Sequence, residues 1–369
     1  MMNQILYKQT LSLVLSLCAS LMTCYSQGKH QKPRNIILMI GDGMGVAQVY
    51  SGFTVNKGHL ELFRCPVAGF SKTYSASHYI TDSGAGATAY SIGSKTYNGA
   101  IGVNSDSVSC KTILEYAEDK GLSTGLVSTS AITHATPASF IAHQKSRENY
   151  EGIAADFLKT DIDVFIGGGI NNFCVRRDKR DLTHDLRQRG YQVIFSMDSI
   201  KNVTEGKLAG LTARGHNPSV TEGRGDMLPV ATQTALNILS RNKKGFFLMV
   251  EGSQIDWEAH ANNMAGVANE MIDFDKAIGR ALDFAEKDGH TLVIVTADHE
   301  TGGMSILGGD LQQGIQAAKF NTTNHTGVMV PVFAYGPGAA LFQGVQENTD
   351  IFFKMMSLYR IPVGSNQPE

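Results

Sequence analysis

Cysteine is scarce: five in 369 residues, at Cys18, Cys24, Cys65, Cys110 and Cys174. The first two fall in an apolar leader, so three remain for the mature chain. Three allow one disulfide at most, which excludes a disulfide-framed fold, and their spacing matches no zinc–thiolate site. An excess of either charge is missing too. Lys and Arg number 32 against 34 Asp and Glu, a net charge of −2. That excludes the basic footprint of a nucleic-acid binder. No apolar run is long enough to cross a bilayer. Leu11 to Met22, preceded by Lys8, is too short. It reads as a secretory signal peptide, residues 1–26, cleaved after Ser26. A second reading takes Leu21-Met22-Thr23-Cys24 as a lipoprotein box with Cys24 lipidated, though Thr23 fits that box poorly. The expectation is an exported protein, periplasmic or extracellular, without a transmembrane segment.

What is present is a chain with 42% hydrophobic residues, enough for one large domain with a full core, residues 27–369. Continuous apolar runs read as buried strands: Asn35 to Ile40, Ser123 to Ser128, Asp163 to Ile166, Gly190 to Phe195, Gly245 to Val250, Thr291 to Thr296 and Val328 to Tyr335. Helical patterns lie between them, at Lys111 to Lys120, Tyr150 to Leu158, Leu182 to Arg189, Leu228 to Ser240 and Ala265 to Lys287. This alternation predicts an α/β three-layer sandwich, a mainly parallel central sheet with helices on both faces. Ser196 to Asp226 is polar and glycine-containing, and reads as a long surface excursion.

In such sheets ligands gather at the carboxyl ends of strands. Asp42 follows the first strand, Glu251 follows Phe246 to Val250, and Asp298 with His299 follows Leu292 to Ala297. Carboxylates collected on one rim repel, so they need cations. Asp256 and His260 stand at i and i+4, on one helix face. His325 lies in Asn324-His325-Thr326-Gly327. Imidazole mixed with carboxylate suits zinc, and oxygen alone suits magnesium. Counting gives Asp256, His260 and His325 for one zinc, and Asp42, Asp298 and His299 for a second. Glu251, Thr136 and a shared Asp42 make an oxygen site for a third ion. His30, His59, His78, His184, His216 and His290 read as surface residues, and His143 as a packed one.

One hydroxyl stands out among small residues, in Thr81-Asp82-Ser83-Gly84-Ala85-Gly86-Ala87-Thr88-Ala89. Ser83 lies beside Asp82, with no large side chain after it to block approach. If Ala87 to Ser91 continues as a helix, Ser83 sits at an N-terminus, where free N–H groups favour an anion.

These words together resemble the alkaline phosphatases of the binuclear-zinc type. The resemblance runs through Ile40-Gly41-Asp42-Gly43-Met44-Gly45, Thr81-Asp82-Ser83, Ala135-Thr136-Pro137-Ala138 to Ser146-Arg147, and Met249-Val250-Glu251-Gly252. It continues in Ile255-Asp256 with His260, Thr296-Ala297-Asp298-His299-Glu300-Thr301-Gly302-Gly303 and His325-Thr326-Gly327. It spans nearly all of the mature chain. It implies hydrolysis of small phosphate monoesters, with Ser83 as nucleophile forming a phosphoserine. Arg147 is then the phosphate fork, and Asp82 positions it. It implies two Zn²⁺ and one Mg²⁺ on the ligand sets counted above. It also implies a homodimer. His134 stands where some members carry aspartate near the third metal. Trp257 stands where others carry lysine or histidine near the phosphate, so phosphate retention is expected to be weaker. Only 25 residues separate His299 from His325, too few for the insertion that forms a crown in some members. The stretch before the first strand is short as well, so the dimer interface is expected to be small. The rival on the same scaffold is a phosphodiesterase or sulfatase. The sulfatase pattern, Cys or Ser then x-Pro-x-Arg, is absent, and Ser83 with Arg147 suits a dianionic monoester.

Overall fold

The chain runs through fourteen strands in the computed structural model, which describes residues 32–362. They are β1 (Asn35–Gly41), β2 (Val67–Lys72), β3 (Ser123–Ala131), β4 (Val164–Gly168), β5 (Tyr191–Ile194), β6 (Lys207–Leu211), β7 (Phe246–Gly252), β8 (Thr291–Thr296), β9 (Glu300–Thr301), β10 (Ser305–Asp310), β11 (Ile315–Lys319), β12 (His325–Thr326), β13 (Val330–Tyr335) and β14 (Gly344–Glu347). The expected signal peptide, its cleavage point and the lipid-anchor reading of Cys24 lie outside the described residues. Residues 33–362 form one compact unit.

Ten strands make one sheet in the order β14-β2-β13-β8-β1-β7-β3-β4-β6-β5. Every pairing is parallel except those of β13, which runs against both β2 and β8. β1, β7 and β8 are buried along their whole lengths. That is why they read as unbroken apolar runs: helices cover both faces of a parallel sheet. The core accordingly divides in two. One half is built around Tyr90, Phe140, Phe165 and Phe352, the other around Phe246, Phe274, Met271 and Leu236.

The sheet order places the chemistry. β8, β1, β7 and β3 are adjacent and parallel, so their carboxyl ends open on the same edge. Glu251 is in register with Ile40 on one side and Ser128 on the other. Two two-stranded ribbons follow β8. One of them, β9 with β12, pairs His325 with Thr301 and so carries His325 back to the same edge.

Residues 196–226 correct an expectation. They are not one surface excursion. The segment contains β6, whose Leu208, Ala209 and Leu211 are buried, inserted between β4 and β5. The strand Lys207-Leu208-Ala209-Gly210-Leu211 is short and has small residues, so its pattern is weak, and its pairing with two neighbours decides its conformation. β2 and β14 are likewise strands at positions left unassigned in the sequence. Among the described residues no helix is long and apolar enough to cross a membrane.

Candidate active site and metal centre

Ser83 opens the helix Ser83–Ile92, but it does not cap it. Asp82 is the N-cap, and its carboxylate accepts the Ala85 N–H at 3.0 Å. The serine hydroxyl is therefore left free for other work, and its Oγ lies 3.2 Å from His299 Nε2. The helix comes close because Gly86 has no side chain. A Cβ there would meet Asp298 Cβ at 3.0 Å. Gly43 acts the same way after β1. It turns the chain at φ +71, and a Cβ would meet Asp256 Cα at 2.8 Å.

His299 Nε2 is also 3.4 Å from Asp42 Oδ1 and 3.4 Å from Asp298 Oδ2. All three side chains are fully buried. Asp298 Oδ1 accepts from Gly43 N and His299 N, whereas Asp298 Oδ2 and both oxygens of Asp42 have no hydrogen-bond partner. A buried carboxylate oxygen without a donor costs several kcal/mol, about what an ionic partner is needed to offset.

Asp256, His260 and His325 form a second group. His260 Nε2 is 3.3 Å from Asp256 Oδ1 and 3.1 Å from His325 Nε2, and His325 Nε2 is 3.5 Å from Asp256 Oδ1. Backbone carbonyls set both tautomers. His260 Nδ1 donates to Thr323 O at 2.6 Å and His325 Nδ1 to Thr81 O at 3.0 Å. The Nε2 of each ring then faces the Asp256 carboxylate, the orientation metal-binding imidazoles adopt.

The third group is Asp42, His134 and Glu251, whose donor atoms lie within 4.8 Å of one another. Glu251 is divided in its loyalties. Ser128 Oγ and Ser130 Oγ donate to Oε2, at 2.5 and 3.3 Å, while Oε1 is buried without a partner. Thr136 Oγ1 faces the same carboxylate without completing a bond of normal geometry. His134 Nδ1 is also buried and unpartnered, and its Nε2 accepts from Arg147 Nη2 at 3.2 Å. Arg147 Nη1 donates to Asp82 Oδ2 at 2.8 Å, so the guanidinium bridges the helix cap and the third group.

The electrostatics follow from burial. Burial, then the facing charges of Asp298, Asp256 and Glu251, push the Asp42 carboxyl far above the usual carboxylate range. Burial with Asp256 and Glu251 lifts Asp298 to about 8. Burial raises Asp256 as well, but the three histidines around it win and hold it below the usual range. The pairing with Asp256 raises His260 to about 9. Burial, then His325, drives His299 the other way, toward the neutral form. Carboxylates that resist ionising together, beside the neutral His299 ring, make a strong site for divalent cations, whose charge reverses the penalty. The donor sets fit such ions. Two sets mix nitrogen with oxygen, and the third is oxygen-rich with one nitrogen at its edge.

The structure thus brings together every residue singled out for the site. His143 is packed, its Nδ1 2.7 Å from Gly102 O and its Nε2 3.2 Å from Glu115. One residue was missed. His216 is on the surface, as read, but it also stands edge-on to His134 and Trp257, at ring-centroid distances of 5.4 and 4.8 Å. No local motif marks it; only the placement of its loop brings it to the site.

A cation-binding cluster at strand ends, set against a serine at a helix N-terminus, defines a metallohydrolase. Similarity to known proteins narrows the class. The family model for alkaline phosphatase matches residues 33–319 and 315–361. The chain is 37% identical to alkaline phosphatase 4 of Bacillus subtilis strain 168, over 88% of each chain. Its structure resembles alkaline phosphatase from the Antarctic bacterium TAB5, with TM-score 0.85 and 42% identity over 91% of this chain and 100% of that one. A histidine-to-aspartate mutant of the TAB5 enzyme, with Mg bound in its M3 site, has TM-score 0.86, 42% identity and the same coverage, 91% and 100%. The chain belongs to the alkaline phosphatase family. It is a hydrolase of phosphate monoesters.

Proposed function

We propose that Ser83 is the nucleophile and that hydrolysis proceeds through a phosphoserine. The observation that carries this reading is the position of Ser83 Oγ, 3.2 Å from the same His299 Nε2 on which Asp42 and Asp298 converge. Asp256, His260 and His325 hold one zinc, and Asp42, Asp298 and His299 hold the other. Asp42, Glu251 and Thr136 hold a magnesium-type ion, with His134 at its edge. When bound, such ions act as Lewis acids on the attacking and leaving oxygens of an in-line displacement.

The protein's own groups do the rest. The Ser83–Ile92 helix directs its first N–H groups at the incoming phosphate. Arg147 grips two non-bridging oxygens with a planar fork that Asp82 holds in place. Ser83 Oγ attacks phosphorus, the ester oxygen leaves as the alcohol, and water then cleaves the phosphoserine to inorganic phosphate. The reaction is among the slowest known without catalysis, with accelerations up to on the order of 10²¹. A lone general base supplies about 10²–10⁴ of that, so the charged cluster must supply most of it.

The apolar leader supports export to the periplasm or beyond. A homodimer is supported by an exposed apolar groove of about 540 Å³, lined in part by Val46, Tyr50, Ile306, Val328 and Met329. The test of the catalytic reading is Ser83→Ala. It is expected to abolish turnover of p-nitrophenyl phosphate while fold and metal content are kept. A variant with near-normal rate removes Ser83 from the role.

A further inference from the structure

Residues 212–226 lead from β6 to the helix Met227–Leu239, and they are fastened with buried charge. Arg224 is 1% exposed at its side chain, and its partners Glu270 and Asp273 are 3% exposed. Its Nη2 donates to Asp273 Oδ2 at 2.8 Å and also to Glu270, and its Nη1 donates to Pro218 O at 3.1 Å. Val220 N donates to Glu270 Oε1 at 2.8 Å. Closer to the sheet, Asn217 accepts from Thr212 Oγ1 at 2.7 Å and donates to Thr129 O at 3.1 Å. A buried charge cluster contributes little net stability, because desolvation offsets the attraction. What this one fixes is the place of the segment.

That segment carries His216. Ala131 N donates to His216 Nδ1 at 3.0 Å. A backbone N–H can only donate, so Nδ1 keeps its lone pair and the neutral ring bears its proton on Nε2. Nε2 makes no hydrogen bond among the described residues. The ring stands at 81° to the indole of Trp257, with centroids 4.8 Å apart. Trp257, the chain's only tryptophan, is part-exposed and adjoins Asp256. His134, which takes an Arg147 N–H, completes the cluster 5.8 Å from the indole. A part-exposed indole and an exposed imidazole with an unpaired N–H are therefore held together beside His134 and Arg147.

We propose that Trp257 and His216 form the subsite for the alcohol portion of the monoester. It selects a flat, ring-shaped group that lies against the indole and offers an acceptor to His216 Nε2–H, as a nucleoside does. The inference rests on the site assignment given above and adds the substrate class to it. Arg224 acts at a distance, by positioning His216.

The experiment compares kcat/KM for adenosine 5′-monophosphate and ethyl phosphate, both phosphate esters of a primary alcohol, of which only the first carries a nucleoside. The ratio is expected to fall about five- to tenfold in Trp257→Ala and in His216→Ala. His216→Gln, which keeps a donor, recovers part of it. Arg224→Met lowers the ratio in the wild-type background and has no further effect once His216 is alanine. Equal losses for both esters, or an unchanged ratio in His216→Ala, overturn the proposal. Ser83→Ala, assayed alongside, separates the two readings. If it stays active, the site assignment fails and the subsite with it. If it is inactive and the ratio does not move, only the subsite fails.

Discussion

His260 and His325 point their Nε2 atoms at each other across 3.1 Å, each with its Nδ1 proton committed to a backbone carbonyl. Two bare lone pairs cannot share that space, so either a proton on one Nε2 or a cation against both must lie between them. The proposed zinc site takes the second case and couples cation binding to folding. Chelation is expected to abolish phosphatase activity and to lower the melting temperature, and zinc to restore both. His325→Ala is expected to lose about one equivalent of zinc, read by elemental analysis. An unchanged metal content argues against the pairing.

Asp82 serves two masters, the helix N-terminus and Arg147. It accepts from Ala85 N and Gly99 N at 3.0 Å and from Arg147 Nη1 at 2.8 Å. Asp82→Asn keeps the shape and removes the charge. Arg147 is expected to lose its fixed orientation, and the inhibition constant of inorganic phosphate to rise about tenfold, the scale of one charge-assisted hydrogen bond. Competitive inhibition kinetics measure this directly.

Trp257 adjoins Asp256, a proposed zinc ligand, where a cationic residue would add attraction for phosphate. Trp257→Lys is expected to tighten inhibition by phosphate, by roughly threefold to tenfold at low salt and less at high salt. Inhibition that does not tighten contradicts the placement of this residue beside the phosphate.

Away from the site, Glu118 sets a pH dependence of stability. Burial raises its carboxyl to about 7, against hydrogen bonds from Asp161 N and Thr124 Oγ1. A raised folded-state pKa means the folded form holds the proton more tightly. Its contribution is full below the unfolded value of about 4.5, and it is lost as pH rises through about 7. Glu118→Gln is expected to remove roughly 1 kcal/mol of the stability change between pH 4.5 and 8, after screening of this partly exposed group. Urea unfolding of chelated protein at several pH values checks it; parallel curves for the two proteins contradict it.

Much of this was legible in the sequence, for a physical reason. Asp42, Asp298 and His299 follow strands buried on both faces and Glu251 lies among the last residues of another, and such strands announce themselves as apolar runs with a polar residue at the exit. Asp256 and His260 share a face by helical spacing alone. His216 and the strand Lys207–Leu211 were not legible, because their roles are set by partners far away in sequence. Arg224 looks like any surface arginine until helix Met264–Asp288 supplies Glu270 and Asp273. Ser83 was visible as a candidate, but that Asp82 would cap the helix and so free the hydroxyl was not.

The proposed reaction depends on cations gathered by buried carboxylates and imidazoles beside Ser83. Diffraction from a crystal soaked in phosphate, recorded on both sides of the zinc absorption edge, tests it most directly. The prediction is two anomalous peaks, one among Asp256, His260 and His325, the other among Asp42, Asp298 and His299 within bonding reach of Ser83 Oγ. Crystals of active enzyme with no transition-metal signal at either place would contradict it.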